Sequence, residues 1–136
     1  MKSATPYIFI ENCKQEMKYY QRILGGEIKN VHLADGIAMF KGHEGKVLHG
    51  ELHFKDCIIH FSDIFESVSI GDQVKVCLEF DSEKEIRRVY RSFLDGGHAA
   101  PALQSTFWGA LHANVTDKNG IGWLLNYQGK ADSENQ

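Results

Sequence analysis

The sequence predicts an α+β fold: two β-α-β-β-β modules forming a curved sheet around a cavity, with helices on the outer face. Three observations carry that prediction. A capped amphipathic helix ending in Gly-Gly occurs twice, with Tyr20 and Tyr90, Leu24 and Leu94, and Gly26 and Gly96 each seventy positions apart. Each copy follows a short apolar strand and is followed by strand-like runs with no further helix. Those runs sort into an apolar and a more polar face, as strands covered on one side by a helix do.

The downstream copy is the clearer one. Ser82 is its N-cap, and Glu85 three residues on completes a capping box. Ile86, Val89, Tyr90, Phe93 and Leu94 recur at helical spacing, and Gly96-Gly97 ends the helix. Upstream, Asn12 is the expected N-cap, with Gln15 three residues on. The stripe is Cys13, Met17, Tyr20 and Leu24, and Gly25-Gly26 is the stop.

In chain order, Thr5-Pro6 opens a strand at Tyr7–Ile10. A helix follows from about Cys13 to Leu24, then a strand at Glu27–Leu33 and a glycine-rich loop at Ala34–Lys46. Val47–Phe54 and Cys57–Ser62 are predicted to pair through a two-residue turn at Lys55-Asp56. That register sets Leu52 opposite Ile59 and Glu51 opposite His60. It puts Leu52, Phe54, Cys57, Ile59 and Phe61 toward a helix, and His49, Glu51, His53, Ile58, His60 and Ser62 on the other face. Asp63–Asp72 links the halves. In Val74–Phe80, the residues Val74, Val76, Leu78 and Phe80 face the helix, and Lys75, Cys77 and Glu79 face away. His98–Gln104 reads as an edge strand interrupted by Pro101. Ala110–Asp117 and Ile121–Tyr127 form a hairpin with Gly120 left-handed, placing Ala113, Val115, Trp123 and Leu125 in the core and His112, Asn114, Leu124 and Asn126 opposite.

By length, residues 1–136 make one domain, with module one at about 5–63 and module two at about 73–127. A hydrophobic fraction of 43% and a net charge of −3 describe a soluble globular protein and give no electrostatic case for nucleic acid or an anionic membrane. The start has no signal-peptide pattern, and no apolar run reaches the about 20 residues of a membrane span. Cys13, Cys57 and Cys77, without CxxC spacing, fit a reduced cytoplasm as buried or half-buried thiols. The polar tail after Tyr127 is expected to fray. No GxGxxG or P-loop implies a nucleotide cofactor.

The His49, Glu51, His53 and His60 face has three readings: a polar, wetted sheet face, a displaced metal site, or a proton-handling pocket. In the last, Glu51 with His60 supplies general base and orienter, and Lys75 a cation for a substrate oxyanion or carboxylate. These three are the catalytic candidates. Thr5, Tyr7, His49, His53, Trp108, His112 and Asn114 are the ligand-binding candidates, and no metal ligand or cofactor is assigned, a divalent metal staying the alternative. Trp108 either packs in the core or lines the pocket. Cys77 is either an inert buried thiol or one activated by Lys75.

The two modules, TPYIFIEN at Thr5–Asn12, KYYQRILGGEI at Lys18–Ile28, HGEL at His49–Leu52, FSD at Phe61–Asp63, FWG at Phe107–Gly109 and VTDKNGIGWLLNY at Val115–Tyr127 resemble the vicinal-oxygen-chelate superfamily. That group comprises glyoxalases, bleomycin-resistance proteins and dioxygenases, and the PhnB-like branch is the most similar. The resemblance covers about residues 5–127 and implies a homodimer and a small-molecule ligand. It also implies a metal quartet at Thr5, His60, Lys75 and Leu124, where only His60 is a plausible ligand, so that site is expected to be lost. An arginine frequent after FWG is Leu111 here, and the hairpin proline is Lys118. Some relatives carry a demethylubiquinone methyltransferase label, but no glycine-rich turn for a methyl donor is present. Two functions follow: a small-molecule-binding protein, whose enzymatic form would be a metal-independent lyase or isomerase acting on a small oxygenated substrate, or a drug-sequestering binder without catalysis.

Overall fold

A computed structural model of the chain describes residues 1–129. The expected fraying of the tail falls largely on 130–136, outside the described residues. The chain divides into two compact units, Met1–Val68 and Ser69–Gln136. No described helix is long and apolar enough to cross a membrane.

Unit one runs β1 (Tyr7–Ile10), α1 (Cys13–Leu24), β2 (Glu27–Leu33), a 3-10 turn (Ala38–Phe40), β3 (Val47–Phe54) and β4 (Cys57–Asp63). Its sheet has the order β1-β4-β3-β2, with β1 parallel to β4 and the other pairs antiparallel. One face packs on α1. Ile8 and Ile10 of β1, Leu52 of β3 and Ile59 and Phe61 of β4 are buried with Met17, Tyr20 and Ile23 of the helix. The Phe61 ring stacks on Tyr20 at 5.4 Å. Strand alternation then leaves Tyr7 and Phe9 on the outer face, 44% and 52% exposed.

Asn12 does not cap α1 as expected. It is left-handed, with φ 53°, and its side chain accepts no cap hydrogen bond. The carboxylate of Asp63, buried at the end of β4, takes that role: Oδ1 accepts from the Cys13 amide at 3.2 Å and Oδ2 from the Val47 amide at 2.6 Å. One side chain thus ties the helix start, β3 and β4 together.

Two glycines let β3 lie close to α1. Gly50 faces Met17, whose sulfur and methyl would stand 2.8 Å from any added Cβ. Gly26, at φ +86°, is wedged against the His53 carbonyl, 2.0 Å from where a Cβ would be. A side chain at Gly26 meets backbone and forces the strand away, whereas one at Gly50 meets the flexible end of Met17, which can shift.

Unit two runs β5 (Val76–Phe80), α2 (Glu83–Leu94), β6 (His98–Ala99), β7 (Gln104–Ser105), β8 (Leu111–Thr116) and β9 (Gly122–Tyr127). The sheet order is β5-β9-β8-β6, and β7 also pairs β8, so the predicted edge strand is broken in two about Pro101. Ser82 accepts the Glu85 amide, as the capping box requires. Ile86, Val89 and Phe93 of α2 are buried with Ala113, Val115, Trp123 and Leu125, and Phe93 stacks on Trp123 at 4.7 Å. The hairpin loop is held by Asp117, whose Oδ1 accepts from the Asn119 and Ile121 amides and whose Oδ2 accepts from Trp123 Nε1 at 2.9 Å.

Several expectations need correction. The strand begins at Val76, and Val74 is exposed because it precedes the sheet. Val76, Leu78 and Phe80 are only half-buried, since β5 is an edge strand. Leu94, at the end of α2, is 37% exposed. Cys13 is buried, but Cys57 in the hairpin corner and Cys77 on the open face of β5 are exposed. Neither sheet closes into a barrel: the first is bounded by β1 and β2, the second by β5 on one side and β6 with β7 on the other.

Candidate functional site

The β3–β4 hairpin builds the site. Lys55, at φ 52°, turns the chain in two residues, and the pairing sets Glu51 opposite His60 and Leu52 opposite Ile59. With Leu52 and Ile59 buried against α1, alternation sends His49, Glu51, His53 and His60 to the other face. There they meet. Glu51 Oε2 lies 2.9 Å from His49 Nε2, and Oε1 lies 2.7 Å from His53 Nε2 and 3.0 Å from Asn30 Nδ2. His60 Nδ1 is 3.4 Å from His49 Nε2. Tyr7 places its hydroxyl 3.3 Å from His49 Nδ1 and stacks over the His60 ring at 5.7 Å.

The hydrogen bonds from His49, His53 and Asn30 hold the Glu51 carboxyl down to about 2. An ionised carboxylate only accepts, so His49 and His53 carry protons on Nε2. His49 Nδ1 is then free to accept from the Tyr7 hydroxyl. The Glu51 side chain is 15% exposed and those of His49 and His53 about a third, so the cluster is screened yet reachable.

Unit one thus brings together Tyr7, His49, Glu51, His53 and His60. Thr5 is exposed ahead of β1. Lys75, Trp108, His112 and Asn114 belong to unit two. Lys75 lies along Gly122, its Nζ 2.9 Å from where a Cβ would stand. His112 is exposed, opposite Asn126 and Gln104, and Asn114 is half-buried opposite Leu124. Trp108 is 39% exposed and meets Phe107 edge-on at 4.8 Å, so it is not a core residue. The Cys77 thiol is not activated: partial burial and neighbouring Glu79 push it up.

Asn30 and His32 were missed. β2 has one extra residue against β3 between the pairs Lys29–Glu51 and His32–His49, and Asn30 sits in this bulge at φ 55°. The bulge aims the Asn30 amide at Glu51 and brings the His32 ring to 6.5 Å from His49. The readable signal was an asparagine, tolerant of the left-handed region, in an otherwise alternating strand. A cleft at the start of α1, lined by Asn12, Cys13, Lys46 and Asp63, contains none of the predicted site residues.

The chain has the fold of the glyoxalase, bleomycin-resistance and dioxygenase proteins, with its PhnB-like members among the structural neighbours. No family model matches the sequence. It is 25% identical to Protein YjdN of Escherichia coli K12, over 90% of this chain and 92% of that protein. Among solved structures, protein PA1353 of Pseudomonas aeruginosa superposes with a TM-score of 0.82 at 24% identity, covering 93% of this chain and 98% of that one. A putative 3-demethylubiquinone-9 3-methyltransferase, the PhnB protein of Bacillus cereus, gives 0.78 at 20% identity, covering 93% and 99%. More distant is the fosfomycin resistance protein FosX of Listeria monocytogenes, solved with Mn(II) and 1S,2S-dihydroxypropylphosphonic acid, with a TM-score of 0.65 at 11% identity and coverage of 100% and 99%.

The metal quartet that the resemblance implies at Thr5, His60, Lys75 and Leu124 has a poor donor set: Leu124 carries no donor atom, and His60 is the one histidine or carboxylate among the four.

Proposed function

We propose that this protein binds a small oxygenated molecule on the Glu51 face of unit one, and that His60 is the group exchanging a proton with it. The carrying observation is the asymmetry of the cluster: Glu51 is fixed as an anion by three donors, whereas the His60 ring, packed on Tyr7 and His49, has one long hydrogen-bond contact, at 3.4 Å. Of the pair, Glu51 has the orienting role and His60 the basic one. A carboxylate held near 2 is a weak base at neutral pH, and an imidazole is suited to that range. The fold supports the class of ligand, since FosX holds a small phosphonic acid.

A second reading, sequestration of an aromatic or cationic drug without turnover, is favoured by one observation. Tyr7 and Phe9 form an exposed stacked pair, with ring centres 5.0 Å apart.

A thermal-shift screen of small oxygenated anions and aromatic cations separates the two. Under the first reading His60→Ala and Glu51→Gln both lose the stabilisation by an oxygenated ligand; the unliganded melting point stays near the parent's in His60→Ala and falls in Glu51→Gln, which gives up the charged clasp. Leu52→Ala lowers the melting point without a ligand-specific loss. Stabilisation by aromatic cations alone, lost in Tyr7→Ala and kept in His60→Ala, rejects the first reading in favour of the second.

A further inference from the structure

We infer that His49, Glu51 and His60 form a binding site for one divalent first-row metal ion of the zinc type, built within unit one and sharing only His60 with the metal quartet that the resemblance implies. It stands whether or not an organic molecule binds the same face.

Distance is the first argument. One ligand atom from each of the three residues lies within 4.8 Å of the others. Bonds of about 2.0–2.1 Å around a tetrahedral zinc put neighbouring ligand atoms about 3.3 Å apart. His60 Nδ1 and His49 Nε2 are already 3.4 Å apart, and His49 Nε2 and Glu51 Oε2 2.9 Å apart. Small rotations of the three side chains open the centre to an ion.

The second argument is proton placement. His49 Nε2 faces both an anionic oxygen and the His60 ring, and it can carry one proton. That proton satisfies Glu51 and leaves His60 Nδ1 poorly served. A cation in its place takes all three lone pairs at once. With the ion bound, the single proton of neutral His49 moves from Nε2 to Nδ1, where the Tyr7 oxygen accepts it and the Tyr7 hydroxyl turns to the Leu48 carbonyl.

The third argument is what stands behind the ligands. Metal-bound imidazoles and carboxylates are usually oriented by outer hydrogen bonds. Here Tyr7 faces His49 Nδ1, while His53 and Asn30 hold the second oxygen of Glu51. The nitrogen-rich donor set selects zinc, nickel or cobalt over calcium and magnesium, which want oxygen. Three protein ligands on a part-exposed face leave a coordination position for water or another oxygen donor.

The test uses the untagged full chain, stripped with a chelator, dialysed and titrated with zinc chloride by calorimetry in two buffers of different ionisation enthalpy. The expected result is one equivalent in both buffers. His49→Ala, Glu51→Gln and His60→Ala should each abolish the tight equivalent. His53→Ala should weaken it by about 10–100-fold as an outer partner. His98→Ala, at an exposed histidine of unit two, should leave it unchanged. Zinc should also shield His49 and His60 of the parent from diethyl pyrocarbonate, a readout that needs no variant to fold.

Less than about a tenth of an equivalent on the parent overturns the inference. So does an equivalent that survives both His60→Ala and Glu51→Gln, or zinc that shields neither histidine. Zinc binding without any oxygenated ligand sinks the function proposed above and leaves this site standing; ligand binding to zinc-free protein that takes up no zinc does the reverse.

Discussion

Replacing Asp63 by alanine removes the acceptor that joins α1, β3 and β4. The carboxylate is 4% exposed and receives the Val47 amide at 2.6 Å and the Cys13 amide at 3.2 Å. Each buried amide left without a partner costs about 1–3 kcal/mol. Loss of the negative charge at the start of α1 adds about 0.3–1 kcal/mol. The sum spans about 2–7 kcal/mol, and the position narrows it. Cys13 borders a cleft, so the shortened side chain would open its amide to water, whereas the Val47 amide is bonded at short range in a buried residue. Asp63→Ala should therefore cost about 3–4 kcal/mol, a large part of the about 5–15 kcal/mol of a typical domain. Asp63→Asn keeps one acceptor oxygen and should cost about half as much. Urea unfolding followed by far-UV circular dichroism measures both. Trp108 and Trp123 both lie in unit two, so tryptophan emission recorded alongside shows whether unit one melts first. A shift below about 1 kcal/mol for Asp63→Ala would refute the tether.

Phe61→Ala, at a fully buried site stacked on Tyr20, should lower stability by about 3–5 kcal/mol, and Phe80→Ala on the half-buried edge strand by less than half of that; equal losses in thermal melts would contradict the layer assignment. Glu51 has a folded pKa of about 2, below its ordinary 4.5, so its stabilisation is complete above 4.5 and lost as pH falls toward 2. Glu51→Gln should accordingly flatten the fall in urea midpoint across that window, and a parent-like acid profile in the variant would count against the three-donor clasp.

The hairpin was legible in the sequence because two rules agree there. Lys55-Asp56 admits a two-residue turn, and alternation then fixes both the Glu51–His60 pair and the buried Leu52–Ile59 pair. The second hairpin followed in the same way from Gly120, and α2 from its capping box. Contacts between segments far apart in the chain were not legible. Asn12 looks like a cap, yet the acceptor comes from Asp63, fifty residues on. The bulge of β2 depends on pairing with β3, so Asn30 entered the site unannounced. Cys57 and Cys77 have apolar character in the sequence, but a hairpin corner and an edge strand leave them in water.

Gly50 stands between His49 and Glu51 and points the opposite way, onto Met17; Gly26 braces the carbonyl of His53 from the same side. The imidazole and carboxylate groups are thus mounted on a strand whose height is set by packing behind it. A methyl group added at Gly26 meets the backbone of His53 and no polar side chain, yet it would lift β3 and spread His49, Glu51 and His53 relative to Tyr7 and His60. Tuning of this face by natural variation can therefore proceed through the helix layer, with every polar side chain unchanged. It also means that the cluster surrenders little freedom when it takes a ligand, because its backbone is already immobilised from the rear.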